Sequence, residues 1–487
     1  MQYRKSLTAM LDPVAQRRLQ HLFWRAGFGP ASSDWLAWLR RPPEVWWPMM
    51  KRLSAQDPGE LFITSDVVRG LIIGAGEFAR IEELRPEERQ ERRAQQHKML
   101  QSLNLLWLEE MTLTPAQLRE KTALFWHGHF ASRNLNIVFQ QDLLHIIRKH
   151  ALGNFGELLR AVSKSAAMLA FLNNQQNRKA KPNENFAREV MELFTLGRGH
   201  YTERDVKEAA RAFTGWGFNA KGEFVFRSHQ HDRGVKTVLG HTGRFDGDDV
   251  LDILLEQRQT ARFIARKMYR FFVNDEHVPE ERVQQLGDRF YDSGYDISSL
   301  LDDIFTADWF FDPENMGNQI KSPVVFWVGM RRALPMELDD PEAQLLLQRA
   351  LGQVLFHPPN VAGWPGGRAW IDATTLMLRL RLPHLLAAGD AVDISLAEDD
   401  DIAMGQGRAS RLRQRLTAEL LWTPLFEIFD QTPTEDLLPA LAHYLWQTPA
   451  TEERLSIVRK YIRTTSREQL LQTAVLQLMA TPEYQLC

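Results

Sequence analysis

Apolar residues recur at three- and four-residue spacing along most of the chain, which is the pattern of helices with one buried face. The stretches SLNLLWLEEM and PAQLREKTALFW show this spacing. Further helices are predicted at TARFIARKMYRFFV, ERVQQLGDRFYDSG and ISSLLDDIFTADWFF. We therefore expect a mainly α fold, built as a large multi-helix domain.

Two neighbouring helices carry clear start and stop signals. PNENFAREVMELFTLG opens with Pro182 and Asn183, and Gly197 can end it. In YTERDVKEAARAFTGW, Thr202 and Asp205 have the spacing of a capping box. The apolar stripe of each helix predicts that both are buried on one side.

Strand patterns flank a histidine pair. GEFVFRS and VKTVLG are rich in β-branched and aromatic residues, and SHQHDRG lies between them. This predicts one small inserted β-hairpin, with His229 and His231 at or near its turn.

The chain divides at an acidic segment rich in small residues. We expect residues 1–392 to form the main helical body, residues 393–410 to be a linker, and residues 411–487 to form a C-terminal helical region packed on that body.

Composition excludes several classes of protein. The 487 residues are 44% apolar and 25% charged with a net charge of −3, which is ordinary for a globular protein. No basic stripe indicates nucleic-acid binding, no run of apolar residues predicts a membrane span, and no glycine-rich phosphate loop indicates a nucleotide cofactor. Cys487 is the only cysteine, so thiolate metal sites in the interior are excluded. The first residues lack a secretory signal, so the sequence as given predicts a cytoplasmic protein.

The stretch FWHGHF places His127 and His129 one residue apart. On a continuous helix these side chains would point roughly 200° apart and could not share a metal, whereas in an extended segment they could. Gly128 fits a helix that breaks down at this point. The alternative is that one imidazole packs on Trp126 and the other caps the helix C-terminus.

His231 and Asp232 form a second candidate site. In a strand or turn, His229 and His231 would share a face, and Asp232 could add an oxygen ligand or orient a histidine. The alternative is an Asx turn with solvated histidines. The predicted ligands of a divalent metal are His127, His129, His231 and Asp232.

The helix NENFAREVMELF presents Asn185, Glu189 and Glu192 along a narrow face. Two carboxylates there could serve as metal ligands or as a general acid and base. The alternative is a structural network in which Arg188 pairs with Glu192, and Glu189 pairs with Arg211.

The loop FHPPNVAGWPGGRAWI combines rigid prolines with flexible glycines. Trp364 and Trp370 could form a stacking platform for a sugar, or they could plug the core from an Ω-like loop. The candidate catalytic residues of the whole chain are Arg188, Glu189, Glu192 and Lys236. The candidate substrate-binding residues are Asn185, Arg211, Trp216, Trp364 and Trp370.

These motifs, in their order, resemble the bacterial family called domain of unknown function 1800. The resemblance rests on RRLQHLFWRAGFGP, FWHGHF, the NENFAREVMELF helix, HDRGVKTVLG and FHPPNVAGWPGGRAWI, and it runs from about Leu19 to LMATPEYQ. This resemblance implies no activity for the chain, because the family has no established one. It implies an HD.G.K pattern, which favours His231, Asp232 and Lys236 over His229. Many members look exported, which this chain does not, and the resemblance implies a partner from the sulfatase-like domain of unknown function 1501 family.

Two hypotheses follow for the function. The first is an enzyme of hydrolase or transferase type that acts on a carbohydrate- or phosphate-bearing substrate through a His, Glu and Asp centre, with Arg188 and Lys236 stabilising negative charge. The second is a non-catalytic protein that binds a glycan or assembles with the sulfatase-like partner. If the imidazoles of His127, His129 and His231 lie apart, the metal-centre form of the first hypothesis fails.

Overall fold

Helices dominate the computed structural model, which confirms the mainly α fold. It describes residues 13–63, 85–388, 392–393, 413–414, 417–463 and 465–487. The α-helices there are α1 (Pro13–Ala26), α2 (Trp35–Leu39), α3 (Trp46–Ser54), α4 (Pro86–Leu113), α5 (Gln117–His129), α6 (Ile137–His150), α7 (Phe155–Lys164), α8 (Ala166–Phe171), α9 (Glu184–Glu189), α10 (Glu203–Ala212), α11 (Gly247–Glu256), α12 (Arg258–Phe272), α13 (Glu280–Asp292), α14 (Ile297–Phe305), α15 (Pro323–Ala333), α16 (Ala343–Leu351), α17 (Ala373–Ala388), α18 (Thr423–Phe429), α19 (Leu437–Leu445), α20 (Glu452–Arg459) and α21 (Arg467–Met479).

The strands are short and antiparallel. They are β1 (Trp216–Phe218), β2 (Phe224–Phe226), β3 (Lys236–Val238), β4 (His241–Gly243), β5 (Met336–Leu338), β6 (Val392–Asp393), β7 (Arg413–Gln414) and β8 (Ala418–Leu420), and they pair as β1–β2, β3–β4, β5–β8 and β6–β7.

The helix α5 is buried on nearly every face. Its charged residues therefore need partners inside the protein. Glu120 accepts hydrogen bonds from Arg148 Nη2 at 2.8 Å and from Trp107 Nε1 at 2.8 Å, and both members of this ion pair are inaccessible to solvent. A fully partnered charge pair thus stands beside a core of tryptophan and phenylalanine rings.

The strands around the second histidine pair form two hairpins rather than one. Trp216 pairs with Phe226, while Lys236 pairs with Gly243, so GEFVFRS and VKTVLG belong to different sheets. Each strand finds its partner across a local turn, one with Gly222 at φ +86° and the other with Gly240 at φ +85°. The histidines lie in the segment between the hairpins.

The two well-signalled helices begin where their caps predict. Asn183 caps α9, and Thr202 with Asp205 forms the capping box of α10. The first helix does not stay α-helical, because residues Val190–Thr195 continue as a π-helix. The Thr195 hydroxyl donates to the Val190 carbonyl at 2.7 Å within this segment.

The C-terminal residues make contacts with early parts of the chain. Gln447 donates to Gln20 at 2.7 Å, and β8 pairs with β5. The backbone of Cys487 exchanges hydrogen bonds with that of Gln319 at 2.8 and 3.1 Å. Most of the expected linker, residues 394–410, lies outside the described residues. Of the helices described, none has the length and apolarity that a membrane crossing requires.

Candidate functional site

A cavity of about 620 Å³ opens beside the C-terminal half of α5. Its walls come from α5, α12, the segment that leads into α15, the loop that follows α16 and the last residue of the chain. Its lining combines basic, aromatic and a few acidic side chains, among them Lys121, Lys267, Lys321, Arg270, Phe125, Phe271, Trp364, Trp370, Asp275, Glu276 and His129.

Lys321 is held between two aromatic rings. Its Nζ lies 3.6 Å from the ring centre of Trp24 and 3.8 Å from that of Tyr484, and it donates to the Tyr484 carbonyl at 2.5 Å. The rings favour the charged form of the amine, but burial lowers the pKa of Lys321 to about 7.

Lys121 occupies the apolar centre of α5. Its Nζ donates to the Trp24 carbonyl at 3.1 Å and lies 5.2 Å from the ring centre of Phe28. Burial lowers the pKa of Lys121 to about 7. Trp24 therefore contacts both amines, one through its ring and the other through its backbone.

Lys267 comes from α12 and lines the same cavity. Burial and the charge of Arg270 lower the pKa of its amine to about 8. The charge of Cys487, which also lines the cavity, acts to raise the pKa of Lys121 and Lys321, whereas no aspartate or glutamate of the described residues does so for any of the three amines. Negative charge in the protein therefore compensates the amines of the cavity only in part.

His129 supplies an uncharged imidazole to the cavity wall. Its Nε2 lies 3.2 Å from the Phe194 carbonyl, which belongs to the last turn of the π-helix. A carbonyl only accepts, so Nε2 carries the proton and Nδ1 has a free lone pair. Burial and then the charge of Lys267 hold the pKa of His129 well below its ordinary value. Nδ1 is buried and has no hydrogen-bond partner among the described residues.

His127 points to a different neighbour because α5 stays helical through His129. Its Nε2 accepts a hydrogen bond from the Phe356 backbone N–H at 3.1 Å, and its ring lies 5.6 Å from that of Trp364. Burial lowers the pKa of His127 to about 3. The two imidazoles therefore bind two separate backbone groups.

The carboxylates predicted near α9, Glu189 and Glu192, do not line the cavity. Glu192 accepts from Tyr201 Oη and Arg198 Nε, both at 2.5 Å. Arg188 donates to Glu203 at 2.7 Å and to Glu184 at 3.1 Å, not to Glu192. Burial, and then the charge of Glu192, raise the pKa of Glu189. Asn185 Nδ2 donates to the Leu172 carbonyl at 3.1 Å.

The segment of His231 and Asp232 forms a compact polar network. His231 Nδ1 lies 3.0 Å from the Thr214 carbonyl, and Arg211 Nε donates to Asp232 Oδ2 at 2.7 Å. Asp232 also accepts from the Gly234 N–H at 2.8 Å, which is an Asx turn. Lys236 Nζ donates to the Asp232 carbonyl at 2.5 Å. The ring of Trp216 packs on Phe213 and Phe224 nearby.

The predicted metal ligands do not form one donor set. In the part of the chain that the structure describes, no three His, Cys, Asp or Glu side chains are placed to hold a metal ion together. His127, His129, His231 and Asp232 instead have the separate partners described above. A divalent metal in this protein stays a prediction, and no step proposed below passes through one.

The tryptophan loop packs directly on the end of α5. Gly363 has φ +82°, and a Cβ there would lie 2.4 Å from the Gly128 carbonyl oxygen. Arg368 Nε donates to Glu276 at 2.6 Å and ties the loop to the segment after α12. Trp364 and Trp370 both line the cavity, with Trp370 only 7% exposed.

The three lysines were not among the predicted site residues. The sequence does mark Lys121, because it begins the otherwise apolar run KTALFW, and a charged residue in a buried helix needs a partner inside the protein. The sequence does not mark Lys267 and Lys321, since lysine in RKMYRFF and IKSP is equally typical of a solvent-exposed surface.

Comparison with known proteins supplies one match. A family model described as "Protein of unknown function (DUF1800)" matches residues 21–486. No curated protein and no solved structure matches the chain.

Proposed function

We propose a function for this chain, which belongs to the DUF1800 family. The description of that family assigns no activity, so the proposal is argued from the cavity. The proposed function is a charge-assisted reaction of hydrolase or transferase type on a phosphate-bearing substrate. The observation that carries it is the convergence of Lys121, Lys267 and Lys321 in one aromatic-walled cavity.

The charge of the cavity favours an anionic ligand. Ammonium groups are compact positive charges that bind phosphoryl oxygens well, and the burial of Lys121 and Lys321 strengthens that attraction. The volume of about 620 Å³ lies within the usual range of small-molecule sites. Bound phosphate would also favour the protonated amines, whose pKa burial has lowered to about 7 in Lys121 and Lys321.

The aromatic wall indicates what accompanies the phosphate. Trp364 and Trp370 line the cavity together with Phe125 and Phe271. Such rings pack against the apolar face of a sugar or against another planar group. A phosphorylated sugar, or a phosphate ester with a planar group, would contact both the basic side chains and the aromatic rings of the lining.

Asp275 is the group proposed to move a proton. The Nδ1 of His129, whose pKa burial holds well below its ordinary value, is a hydrogen-bond acceptor in the cavity wall that positions a substrate hydroxyl or water. Burial raises the pKa of Asp275, which lines the same cavity, so its carboxyl is closer to a general acid than an exposed aspartate. The lysines would stabilise the negative charge that develops on the phosphoryl oxygens.

Catalytic roles for Arg188, Glu189, Glu192 and Lys236 stay predictions, as do substrate contacts by Asn185, Arg211 and Trp216. Their side chains lie outside the cavity lining. They enter the proposal only as residues that build the neighbouring structure.

The alternative proposal is a non-catalytic protein that binds a glycan in the cavity, or that assembles with a sulfatase-like partner of the domain of unknown function 1501 family. The observation that favours glycan binding is the placement of Trp364 and Trp370 in the cavity wall, which needs no reacting group. Turnover distinguishes the two proposals.

The test combines calorimetric binding with phosphate release for a panel of sugar phosphates and aryl phosphates. Lys321→Met and Lys267→Met are compared with Lys221→Met, which changes an exposed lysine of the first hairpin turn. We expect at least one ester to bind and turn over, with affinity at least tenfold weaker in the cavity variants and unchanged in the control. Binding without turnover would favour the alternative. If no phosphate ester binds the wild-type protein, the proposal is wrong.

A further inference from the structure

A second cleft, of about 450 Å³, lies beside the first turn of α5 and shares no residue with the cavity described above. Its walls come from the last turn of α3, the first turn of α5, the end of α6 and the start of α14. Of the nine described residues that line it, four are lysine or arginine and none is aspartate or glutamate. The lining is therefore basic.

Arg119 is the buried cation of this cleft, with only 6% of its surface exposed. Its Nε donates to the Ser54 carbonyl at 2.9 Å, and its Nη1 donates to the Arg148 carbonyl at 2.8 Å. These carbonyls belong to the last turns of α3 and α6, so one guanidinium satisfies the ends of two helices. Its Nη2 has no acceptor in the described part of the chain, yet it is not sealed from solvent. That nitrogen keeps two N–H groups for a ligand.

The other three cations of the cleft lie at the ends of the same two helices. Lys51 and Arg52 belong to the last turn of α3, and Lys149 belongs to that of α6. Lys51 Nζ forms an ion pair with Asp302 at 2.6 Å. Arg52 and Lys149 are exposed and have no ion pair among the described residues. With Arg119, three positive charges of the lining therefore have no paired carboxylate.

The helix ends alone do not account for this charge. A cation in a last turn complements the helix dipole, but each helix end supplies only roughly −0.5 elementary charge. Asp57 acts on Arg119 from outside the lining, while Glu120 and Arg148, which pair with each other, act on it in opposite directions. Two helix ends and one aspartate do not cancel three cations, so the cleft attracts anions.

The cleft has room for more than a bare ion. Its volume of about 450 Å³ lies within the usual range of small-molecule sites. Ala55, Leu118 and Leu152 give the lining an apolar part beside the cations. A ligand with one strongly charged group and a small apolar body would contact both parts.

We propose that this cleft is a second binding site, which takes the phosphoryl group of a small organic ester. A phosphate monoester carries about two negative charges at neutral pH, so it gains more from several cations than a carboxylate does. Arg119 Nη2 donates to a phosphoryl oxygen, Arg52 and Lys149 add charge at the rim, and the organic part packs on Leu118 and Leu152. The inference rests on the cleft alone and stands or falls without the proposed function.

The experiment follows the backbone amide signal of Gly153, which lines the cleft, in wild-type protein labelled with ¹⁵N-glycine. Gly153→Ala assigns the signal and should fold normally, because an added Cβ would meet only the His150 carbonyl oxygen at 3.7 Å. Phenyl phosphate, inorganic phosphate and sodium chloride are titrated separately at matched ionic strength. We expect phenyl phosphate to shift the signal saturably, at lower concentration than inorganic phosphate does, and chloride to leave it in place.

Charge variants identify the groups that bind. Arg52→Gln combined with Lys149→Gln changes two exposed side chains and should weaken phenyl phosphate binding roughly tenfold or more. Lys460→Gln, at the exposed C-terminal end of α20, is the matched control and should change nothing. Lys321→Met alters only the cavity, so the Gly153 titration should be the same as in the wild type. Failure of the cavity proposal and failure of this one are thereby seen separately.

Three results would overturn the proposal. One is a Gly153 signal that does not move with phenyl phosphate in the wild-type protein, or that moves equally with chloride, a result that needs no variant to fold. Another is unchanged affinity in the double variant. The third is equal affinity for inorganic phosphate and phenyl phosphate, which would show that the cleft takes the free ion and not an ester.

Discussion

Buried charges in this protein fall into two kinds at the residue scale. Glu120 and Arg148 satisfy each other, and Trp107 and backbone carbonyls complete their hydrogen bonds. In the cavity, Lys121 and Lys321 donate to backbone carbonyls and lie over aromatic rings, and the charge of Cys487 compensates them only in part. The first kind stabilises the native structure only while it is complete, whereas the second leaves positive charge available to a ligand.

Removing one partner of the complete pair is predicted to be severe. Glu120→Ala removes the buried counterion of Arg148 and leaves it only the partly exposed Glu110 at 3.2 Å, so we expect the free energy of unfolding to fall by about 3 kcal/mol. Chemical denaturation measures this. Glu452→Ala breaks the exposed pair with Arg459 and should leave the midpoint unchanged. Equal effects of the two substitutions would contradict the distinction.

The buried amine of Lys321 should make stability depend on pH. Its folded pKa of about 7 lies below its ordinary value, so between these values the unfolded chain binds a proton that the folded chain does not. Stability therefore rises with pH in this window and is lowest below it. Relative to Lys321→Met, wild-type unfolding free energy should rise by up to about 1.4 kcal/mol per pH unit. Urea unfolding at several pH values measures this, and parallel curves would exclude it.

Some residues of the cavity could be predicted from the sequence, but the cavity as a group of residues could not. His129, Trp364 and Trp370 stood out by residue type and by the aromatic or glycine neighbours around them. The lysines did not, because the sequence does not show that residues 121, 267 and 321 approach one another. Only the tertiary packing of α5, α12 and the segment before α15 brings these residues together.

At the element scale, the tryptophan loop depends on its contact with the end of α5. Gly363→Ala would push a methyl group against the Gly128 carbonyl oxygen, so we expect a loss of roughly 2 kcal/mol or more and weaker phosphate-ester binding. Gly352→Ala is the matched control, since it has φ +87° but nothing within 4 Å. It should lose only the cost of its backbone conformation, about 1 kcal/mol. Thermal unfolding and calorimetry compare the two.

Helix starts were predictable because their signals are local. Asn183 and Thr202 cap the helices that follow them, as their hydrogen-bonding side chains require. The change to a π-helix at Val190 was not predictable, because it depends on which distant groups the backbone meets, and His129 bound to the Phe194 carbonyl is one such group. The two hairpins near His231 are local, and their turns at Gly222 and Gly240 were the signal that separates them.

At the scale of the whole molecule, Tyr484 packs between α1 and α15. Its ring is inaccessible to solvent and lies near those of Trp24 and Phe326, while its hydroxyl is buried without a partner in the described structure. The mainly α architecture was predictable from periodicity, and the packing of residues 411–487 on the main body was expected, but the burial of Tyr484 in the core was not. LMATPEYQ reads equally well as a surface segment.

Two substitutions of Tyr484 should have opposite outcomes. Tyr484→Ala removes a buried ring and opens a void, so the free energy of unfolding should fall by about 3–5 kcal/mol. Tyr484→Phe removes only the unpartnered hydroxyl and should be neutral or slightly stabilising. Denaturation midpoints measure both. A large loss in the phenylalanine variant would show that the hydroxyl has a partner.

The last turn of α5 binds the rest of the protein on opposite sides, with His127 at the Phe356 amide and His129 at the Phe194 carbonyl. A deletion or insertion of one residue here would rotate the following side chain by roughly 100°. The displaced imidazole would lose its backbone hydrogen bond, and no equivalent group would replace it. Functional variants should therefore keep a single residue between the two histidines, even where the flanking loops tolerate insertions and deletions. A library of single-residue insertions and deletions would reveal this as a narrow interval of intolerance.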